Sequence, residues 1–225
     1  MRYKSVISAR FVSRPNRFIA VAELDGREEI CHVMNTGRMR ELLVPGAEIF
    51  LLPAENPARK TKFDLVAVRR GDEIVNIDSL APNRVVAEYI PTLFPGYKLI
   101  KPETKFGNSR FDFYIEDNFD KIFLEVKGVT LNRDGIAMFP DAPTLRGAKH
   151  LRELAAARAQ GYRAAVLFVI AMKGIFSFVP NRETDPDFAD ALLEAARAGV
   201  EIYAADCRVE PDFIAAENKI PVCLE

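Results

Sequence analysis

The sequence predicts a mixed α/β protein with two domains, a small β-barrel over residues 1–80 and an α/β domain over residues 81–225. Short alternating segments separated by turn residues crowd the first part of the chain, which is typical of an all-β domain. After Asp78 the pattern changes to helical segments and longer apolar runs, which indicates a different core. With 225 residues, 49% of them hydrophobic, the chain can bury both cores.

The barrel prediction depends on six strand candidates: YKSVISARFV, RFIAVAEL, EEICHVM, AEIFLLP, FDLVAVRR and EIVNI. Turn pairs such as Asp25-Gly26 and Pro45-Gly46 separate them. The intervening NTGRMRELL can hold one or two helical turns. Three strands, a short helix and two or three further strands are the order expected of a five-stranded barrel of the OB type, with an SH3-like barrel as the alternative.

The second part begins with a helix, SLAPNRVVAEYI, capped by Ser79 or Asn83 and ended by the next proline. Three strands follow, YKLIKPE, RFDFYI and KIFLEVKGV, of which the last two form a hairpin through the turn EDNFD. DAPTLRGAKHLRELAAARAQG is a helix capped by Asp141 or Thr144. AAVLFVIA and GIFSFVP are buried strands, DPDFADALLEAARAG is an amphipathic helix, and VEIYAADCRV is the last strand.

The segment FLEVKGVT places two charges, Glu125 and Lys127, on one face of a strand. If the hairpin turn occupies residues 117–120, Asp112 lies opposite Glu125. Two facing carboxylates repel each other unless a cation lies between them, and such oxygen ligands suit Mg²⁺ or Mn²⁺. Lys127 would then lie near the attacking water or a phosphate oxygen. An ordinary ion pair on a half-exposed strand is the alternative.

An Asp followed on the next strand by Glu-x-Lys is the signature of the PD-(D/E)xK nuclease superfamily. The predicted order of helix, three strands, helix and strand is the αβββαβ core of that fold. We therefore expect a nuclease-like domain with Asp112 and Glu125 as metal ligands and Lys127 as a catalytic residue. A nuclease-like fold can also bind nucleic acid without cleaving it.

Four blocks, HVMNTGRM, ETKFGNSRFDF, FLEVKGVTL and FPDAPTLRGAKHLREL, together resemble the sugar fermentation stimulation protein A family. The resemblance implies an OB-type domain followed by a nuclease-like domain. It also implies a DNA-binding protein linked to the regulation of sugar metabolism. Carried over by position, Glu103 joins Asp112, Glu125 and Lys127 as a catalytic residue, and Glu103 is expected to be a further metal ligand.

Basic side chains near these features are candidate contacts for nucleic acid, although the formal net charge of −1 shows no overall excess. On the barrel they are Arg14, Arg17, Arg38 and Arg40, and at the start of the helix after Glu-x-Lys they are Arg146, Lys149 and His150.

The rest of the composition limits the kinds of metal site and the cellular compartment that can be expected. Three scattered cysteines argue against a disulfide framework, and two histidines are too few for a His-built metal site. No apolar run is long enough to span a bilayer and the start lacks a signal-peptide core, so we expect a cytoplasmic protein without membrane contact. The expected partner is DNA, read with low sequence specificity, and a homodimer is left open.

The sequence therefore predicts a DNA-binding protein with a divalent-metal site of the nuclease type, and a magnesium-dependent endo- or exonuclease is one interpretation. A DNA-binding transcriptional regulator with an inactive nuclease fold is the main alternative. A sensor of a sugar or nucleotide is the second.

Overall fold

The first six strands form one sheet that closes into a barrel. A computed structural model of the protein describes residues 1–56 and 58–224. The strands are β1 (Ile7–Asn16), β2 (Ile19–Leu24), β3 (Arg27–His32), β4 (Glu48–Pro53), β5 (Phe63–Arg70) and β6 (Glu73–Asn76). Their order is β3-β2-β1-β4-β5-β6, and a parallel pairing of β3 with β5 closes the first five strands into a ring. The closed barrel confirms the OB-type prediction. Between β3 and β4 the backbone forms turns and no helix.

The second part contains three helices and nine strands in the described residues. They are α1 (Ala81–Leu93), β7 (Leu99–Phe106), β8 (Ser109–Glu116), β9 (Lys121–Val129), β10 (Leu131–Arg133), β11 (Ile136–Phe139), α2 (Leu145–Ala159), β12 (Arg163–Ile170), β13 (Ser177–Pro180), α3 (Pro186–Arg197), β14 (Glu201–Glu210) and β15 (Phe213–Lys219). One sheet has the order β15-β14-β12-β9-β8-β7, and β10, β11 and β13 form a small second sheet. The αβββαβ order of the nuclease-like fold is confirmed.

Helices cover both faces of the larger sheet. Because side chains alternate along a strand, Val166 and Phe168 of β12 pack with α2 and α3, whereas Leu167 and Val169 pack with α1. The three parallel strands β9, β12 and β14 form the centre of the sheet, where both faces are covered.

The barrel and the second domain share these cores. Leu65 and Val68 of β5 belong to the cluster that includes the interior of the barrel, while Val66 and Ala67 pack in the cluster that contains α1. Because β5 is buried on both sides, the outer wall of the barrel is fixed against the second domain.

Three details differ from the sequence-based expectations. Pro91 lies inside α1, which continues to Leu93. VEIYAADCRV is not the last strand, because β15 pairs with it as an antiparallel edge. Thr144 caps α2 by accepting a hydrogen bond from the Gly147 amide, whereas the Asp141 side chain accepts one from Arg38 N in the barrel at 2.9 Å.

The three helices of the described ranges are short or carry polar faces. None of them is both long enough and apolar enough to cross a bilayer.

Candidate metal and nucleic-acid site

Glu125 and Lys127 form a buried ion pair on β9. The residue Glu125 is only 3% exposed, and its Oε1 lies 2.5 Å from Lys127 Nζ. The same oxygen also accepts a hydrogen bond from His150 Nδ1. Its other oxygen, Oε2, is buried and has no hydrogen-bond partner among the described residues. Since buried oxygens of carboxylates are normally satisfied, the unused acceptor capacity of Oε2 calls for an explanation.

Asp112 lies at the point where β8 and β9 separate. The ladder between these strands runs from Glu116↔Lys121 to Phe113↔Leu124, which is the register expected from a turn over residues 117–120. Beyond Phe113 the backbone ladder stops, and the Asp112 side chain takes the place of a backbone acceptor. Its Oδ2 accepts a hydrogen bond from Val126 N at 2.8 Å. The carboxylate is thereby anchored beside Glu125.

This arrangement shifts the pKa values of the two carboxylates in opposite directions. Burial raises the pKa of Asp112, and the neighbouring charge of Glu125 raises it further. Burial would also raise the pKa of Glu125, but the hydrogen bonds and charges of His150 and Lys127 outweigh it and hold that pKa below its ordinary value. Glu125 is therefore ionised at neutral pH, and Asp112 is the carboxylate whose charge is more costly to keep.

His150 belongs to this buried cluster, which differs from its expected role as a surface contact for nucleic acid. It is 5% exposed and lies in the buried stripe of α2 that includes Gly147, Leu151 and Leu154. Arg146 Nε donates to His150 Nε2 at 3.4 Å, so the imidazole proton is assigned to Nδ1, which donates to Glu125. Helical periodicity is the sequence feature that could have placed His150 on the apolar face.

Asn83, which the sequence offered as a helix cap, lies inside α1 and contacts Asp112. It lies in the first turn of α1, and its Nδ2 donates a hydrogen bond to Asp112 Oδ1 at a distance of 2.9 Å. The helix approaches β9 closely here, since a Cβ added to Gly128 would lie 2.8 Å from Pro82 Cγ. The glycine after Lys127 thus allows α1 to bring Asn83 to the carboxylate.

Glu103 lies outside the cluster in this structure. Its side chain is exposed and pairs with Arg110 at 3.4 Å. Within residues 1–56 and 58–224, no three His, Cys, Asp or Glu side chains are grouped as a metal centre. The Asp112 and Glu125 oxygens, including the unpartnered Oε2, are nevertheless the hard donors that Mg²⁺ or Mn²⁺ takes from a protein, with water as the remaining ligands. The chemistry of these oxygens suits a divalent ion.

Arg14 of the barrel has a different role from the predicted phosphate contact. Its guanidinium donates to four backbone carbonyls, those of Arg17, Asn35, Gly37 and Arg38, at 2.8–2.9 Å. It therefore fixes the β1–β2 turn against the segment after β3.

The other predicted basic side chains remain exposed. Arg17, Arg38 and Arg40 take part in none of the ion pairs between described residues. On α2, Arg146 is exposed, and exposed Lys149 lies 3.9 Å from Glu153.

Three adjoining cavities run from these arginines to Asn83 and Val126, the two residues that donate hydrogen bonds to Asp112. The basic pocket, of about 380 Å³, is lined by Arg14, Arg17, Thr36, Gly37, Arg38 and Arg40. It shares Thr36 and Gly37 with an interdomain cavity of about 290 Å³. That cavity shares Asn35, Gly128 and Thr130 with an inner cavity of about 160 Å³, which reaches Asn83 and Val126. We call the three together the interdomain groove.

An OB-type barrel followed by a nuclease-like αβββαβ domain, with an Asp and a Glu-x-Lys where β8 and β9 separate, defines the class of this protein. Family models agree with both parts: the SfsA N-terminal OB domain matches residues 12–77 and the sugar fermentation stimulation protein RE domain matches residues 80–213. The chain belongs to the SfsA family.

Individual relatives support this assignment. Sugar fermentation stimulation protein homologs from Desulfitobacterium hafniense (strain Y51) and Ruminiclostridium cellulolyticum are 53% and 51% identical over 100% of this chain, covering 99% and 100% of those proteins. The solved structure of Pyrococcus furiosus SfsA in complex with Ca²⁺ is 30% identical, with a TM-score of 0.90 over 99% of this chain and 97% of that chain.

Proposed function

We propose that the protein binds DNA and hydrolyses phosphodiester bonds at a divalent-metal site formed by Asp112 and Glu125. The observation that carries the proposal is the buried Oε2 of Glu125, which lacks a partner among the described residues and lies in a cluster where a second carboxylate is destabilised by burial and like charge. A cation relieves both costs. The structure of the Pyrococcus furiosus relative in complex with Ca²⁺ supports an ion-binding role, since Ca²⁺ also takes oxygen ligands.

Each side chain of the cluster has a definite task under this proposal. Asp112, held by Val126 N and Asn83, and Glu125, held by His150, present oxygens in fixed positions. A bound Mg²⁺ or Mn²⁺ would supply Lewis-acid activation of a phosphate and a more acidic water.

Lys127 carries the positive charge that offsets charge developing on a phosphate, and its Nζ lies at Glu125, beside the site. His150 orients Glu125 through Oε1 and leaves Oε2 free, so we assign it a positioning role. Glu103 would contribute only after leaving Arg110, directly or through water.

The test combines metal binding and cleavage in one set of proteins. Purified protein is incubated with plasmid, linear duplex and single-stranded DNA in Mg²⁺, Mn²⁺ or EDTA. We expect cleavage that requires metal, and its loss in Lys127→Met with metal binding retained. Glu103→Gln decides whether that carboxylate adds a ligand: a weaker metal affinity assigns it, and an unchanged affinity removes it from the set.

One observation favours a second candidate, a DNA-binding regulator without cleavage. The Lys127 ammonium already balances the charge of Glu125 and His150 donates a hydrogen bond to it, so Glu125 has a counter-charge within the protein. The relatives named for sugar fermentation stimulation are consistent with a regulatory role. DNA binding by a protein that cleaves none of the substrates in either metal would select this candidate over the nuclease.

A further inference from the structure

The basic pocket has the electrostatics of a phosphate-binding surface. Three exposed guanidiniums, those of Arg17, Arg38 and Arg40, surround it without carboxylate partners among the described residues. Asp141, which lines the neighbouring interdomain cavity, accepts a hydrogen bond from Arg38 N at 2.9 Å and keeps its negative charge. Because the three guanidiniums outnumber this carboxylate, an anion at the basic pocket is attracted.

An exposed aromatic ring stands beside this pocket. Phe18 is 49% exposed although it belongs to a turn next to β2, and the guanidinium carbon of Arg17 lies 5.9 Å from its ring centroid. The turn is held in place, since Phe18 N bonds to Asn16 Oδ1 and Val33 N bonds to Phe18 O. A fixed aromatic face next to unpaired arginines on a barrel wall is the combination that stacks a base while the backbone is held by charge.

The groove that begins beside this ring is recessed between the domains. The interdomain cavity, at about 290 Å³, lies at the lower end of the range for small-ligand pockets. The inner cavity ends at Asn83 and Val126, which hold Asp112, and Glu125, 3% exposed, lies behind them and lines none of the three cavities. A duplex keeps its bases stacked inside and cannot pass through such a cavity, whereas one unpaired strand presents a base to stack and a flexible backbone.

We propose that the interdomain groove binds a single strand of nucleic acid, with a base stacked on Phe18, phosphates on Arg17, Arg38 and Arg40, and the strand continuing through the interdomain cavity toward Asn83, which holds Asp112. This inference rests on the proposed function, since it names the substrate class of that site. Binding of this kind requires no base-specific contact, because the affinity comes from base stacking and from charge on the backbone.

The test measures the binding of the full-length protein to a fluorescent single-stranded oligothymidine and to a duplex of equal length by anisotropy, in EDTA so that no cleavage interferes. We expect tighter binding of the single strand. Phe18→Leu should weaken single-strand binding by about fivefold or more, as expected when one base is no longer stacked, and leave duplex binding unchanged. Phe119→Leu is the matched control, since Phe119 is 93% exposed at the β8–β9 turn, away from the groove.

The arginines provide an independent readout. Arg38→Ser with Arg40→Ser should reduce the salt dependence of single-strand binding, by roughly one unit of slope for each phosphate that the variant no longer neutralises. Thermal unfolding of each variant verifies that the fold is intact. Equal affinity for duplex and single strand, or an unchanged affinity in Phe18→Leu, overturns the inference.

Failure of this inference is distinguishable from failure of the proposed function. Mn²⁺-dependent stabilisation and metal-dependent cleavage of duplex DNA without single-strand preference retain the proposed function and reject the groove assignment. Absence of binding to both DNA forms rejects both.

Discussion

Replacing Glu125 with glutamine keeps the size of the side chain and removes the charge at the centre of the cluster. In the wild-type protein Glu125 Oε1 accepts hydrogen bonds from Lys127 and His150, and Oε2 is free among the described residues. Glu125→Gln therefore changes the unfolding free energy and the metal response for separate reasons, and both are measurable.

The loss of stability follows from the burial of the ion pair. Removing one member of a buried ion pair costs about 3–5 kcal/mol, because the other charge is left without compensation. We expect the lower end, about 3 kcal/mol, since the glutamine oxygen still accepts a hydrogen bond and the Asp112 charge remains near Lys127. In a chain of this size the melting temperature falls about 2–4 °C per kcal/mol, so a decrease of about 6–12 °C is expected.

The metal response is the second readout. A ligand at one hundred times its Kd stabilises the wild-type fold by about 2.7 kcal/mol. The variant should lose this increase, because Gln replaces the charged oxygen pair with one neutral oxygen and an amide. Melting curves and urea unfolding, with and without Mn²⁺ and with Mg²⁺ for comparison, measure both effects.

Glu183→Gln is the matched control. Glu183 pairs with Arg133 at 3.0 Å on the exposed surface, so its replacement should change the unfolding free energy by no more than about 0.5–1 kcal/mol and leave the metal response intact. If Glu125→Gln is as stable as the wild type and is stabilised equally by Mn²⁺, then neither the ion pair nor the metal site has the energetic role assigned to it.

Three further predictions concern the support of the site and the barrel. Asn83→Ala should weaken Mn²⁺ affinity about tenfold in a calorimetric titration, because the hydrogen bond that orients Asp112 is removed; an unchanged affinity contradicts this positioning role. Gly128→Ala should cost about 1–3 kcal/mol in urea unfolding, since the new Cβ lies 2.8 Å from Pro82 Cγ; a neutral effect would mean that the helix shifts freely. Burial raises the pKa of Asp64 in the barrel, but hydrogen bonds from its arginine and histidine partners outweigh it and lower the pKa below its ordinary value. Its carboxylate therefore contributes stability above the unfolded pKa of about 3.9, and this is lost as pH falls through the folded value. The difference in unfolding free energy between the wild type and Asp64→Asn should shrink below about pH 4, and a constant difference down to about pH 2 would argue against it.

Local patterns in the sequence were sufficient to predict the order of most elements and the register of one hairpin. Period-two alternation and turn pairs predict the barrel strands, because each strand has one face toward the interior. The polar turn over residues 117–120 fixes which residues of β8 and β9 face each other, and the observed ladder has that register. This is why the proximity of Asp112 and Glu125 could be predicted. The short strands β10 and β11 and the edge strand β15 were missed, since nothing in their neighbourhood distinguishes them from loop or from the preceding strand.

The sequence alone thus determined the two-part architecture, the barrel, the hairpin and the Asp and Glu-x-Lys on it. Only the tertiary structure decided which distant side chains complete the cluster, because that depends on how helices pack on the sheet and not on local pattern. The packing of α2 brings His150 under Glu125, and the close approach of α1 at Gly128 brings Asn83 to Asp112. The packing of the barrel wall on the second domain likewise creates the interdomain groove, whose inner end is lined by Asn83, since both cores share strand β5.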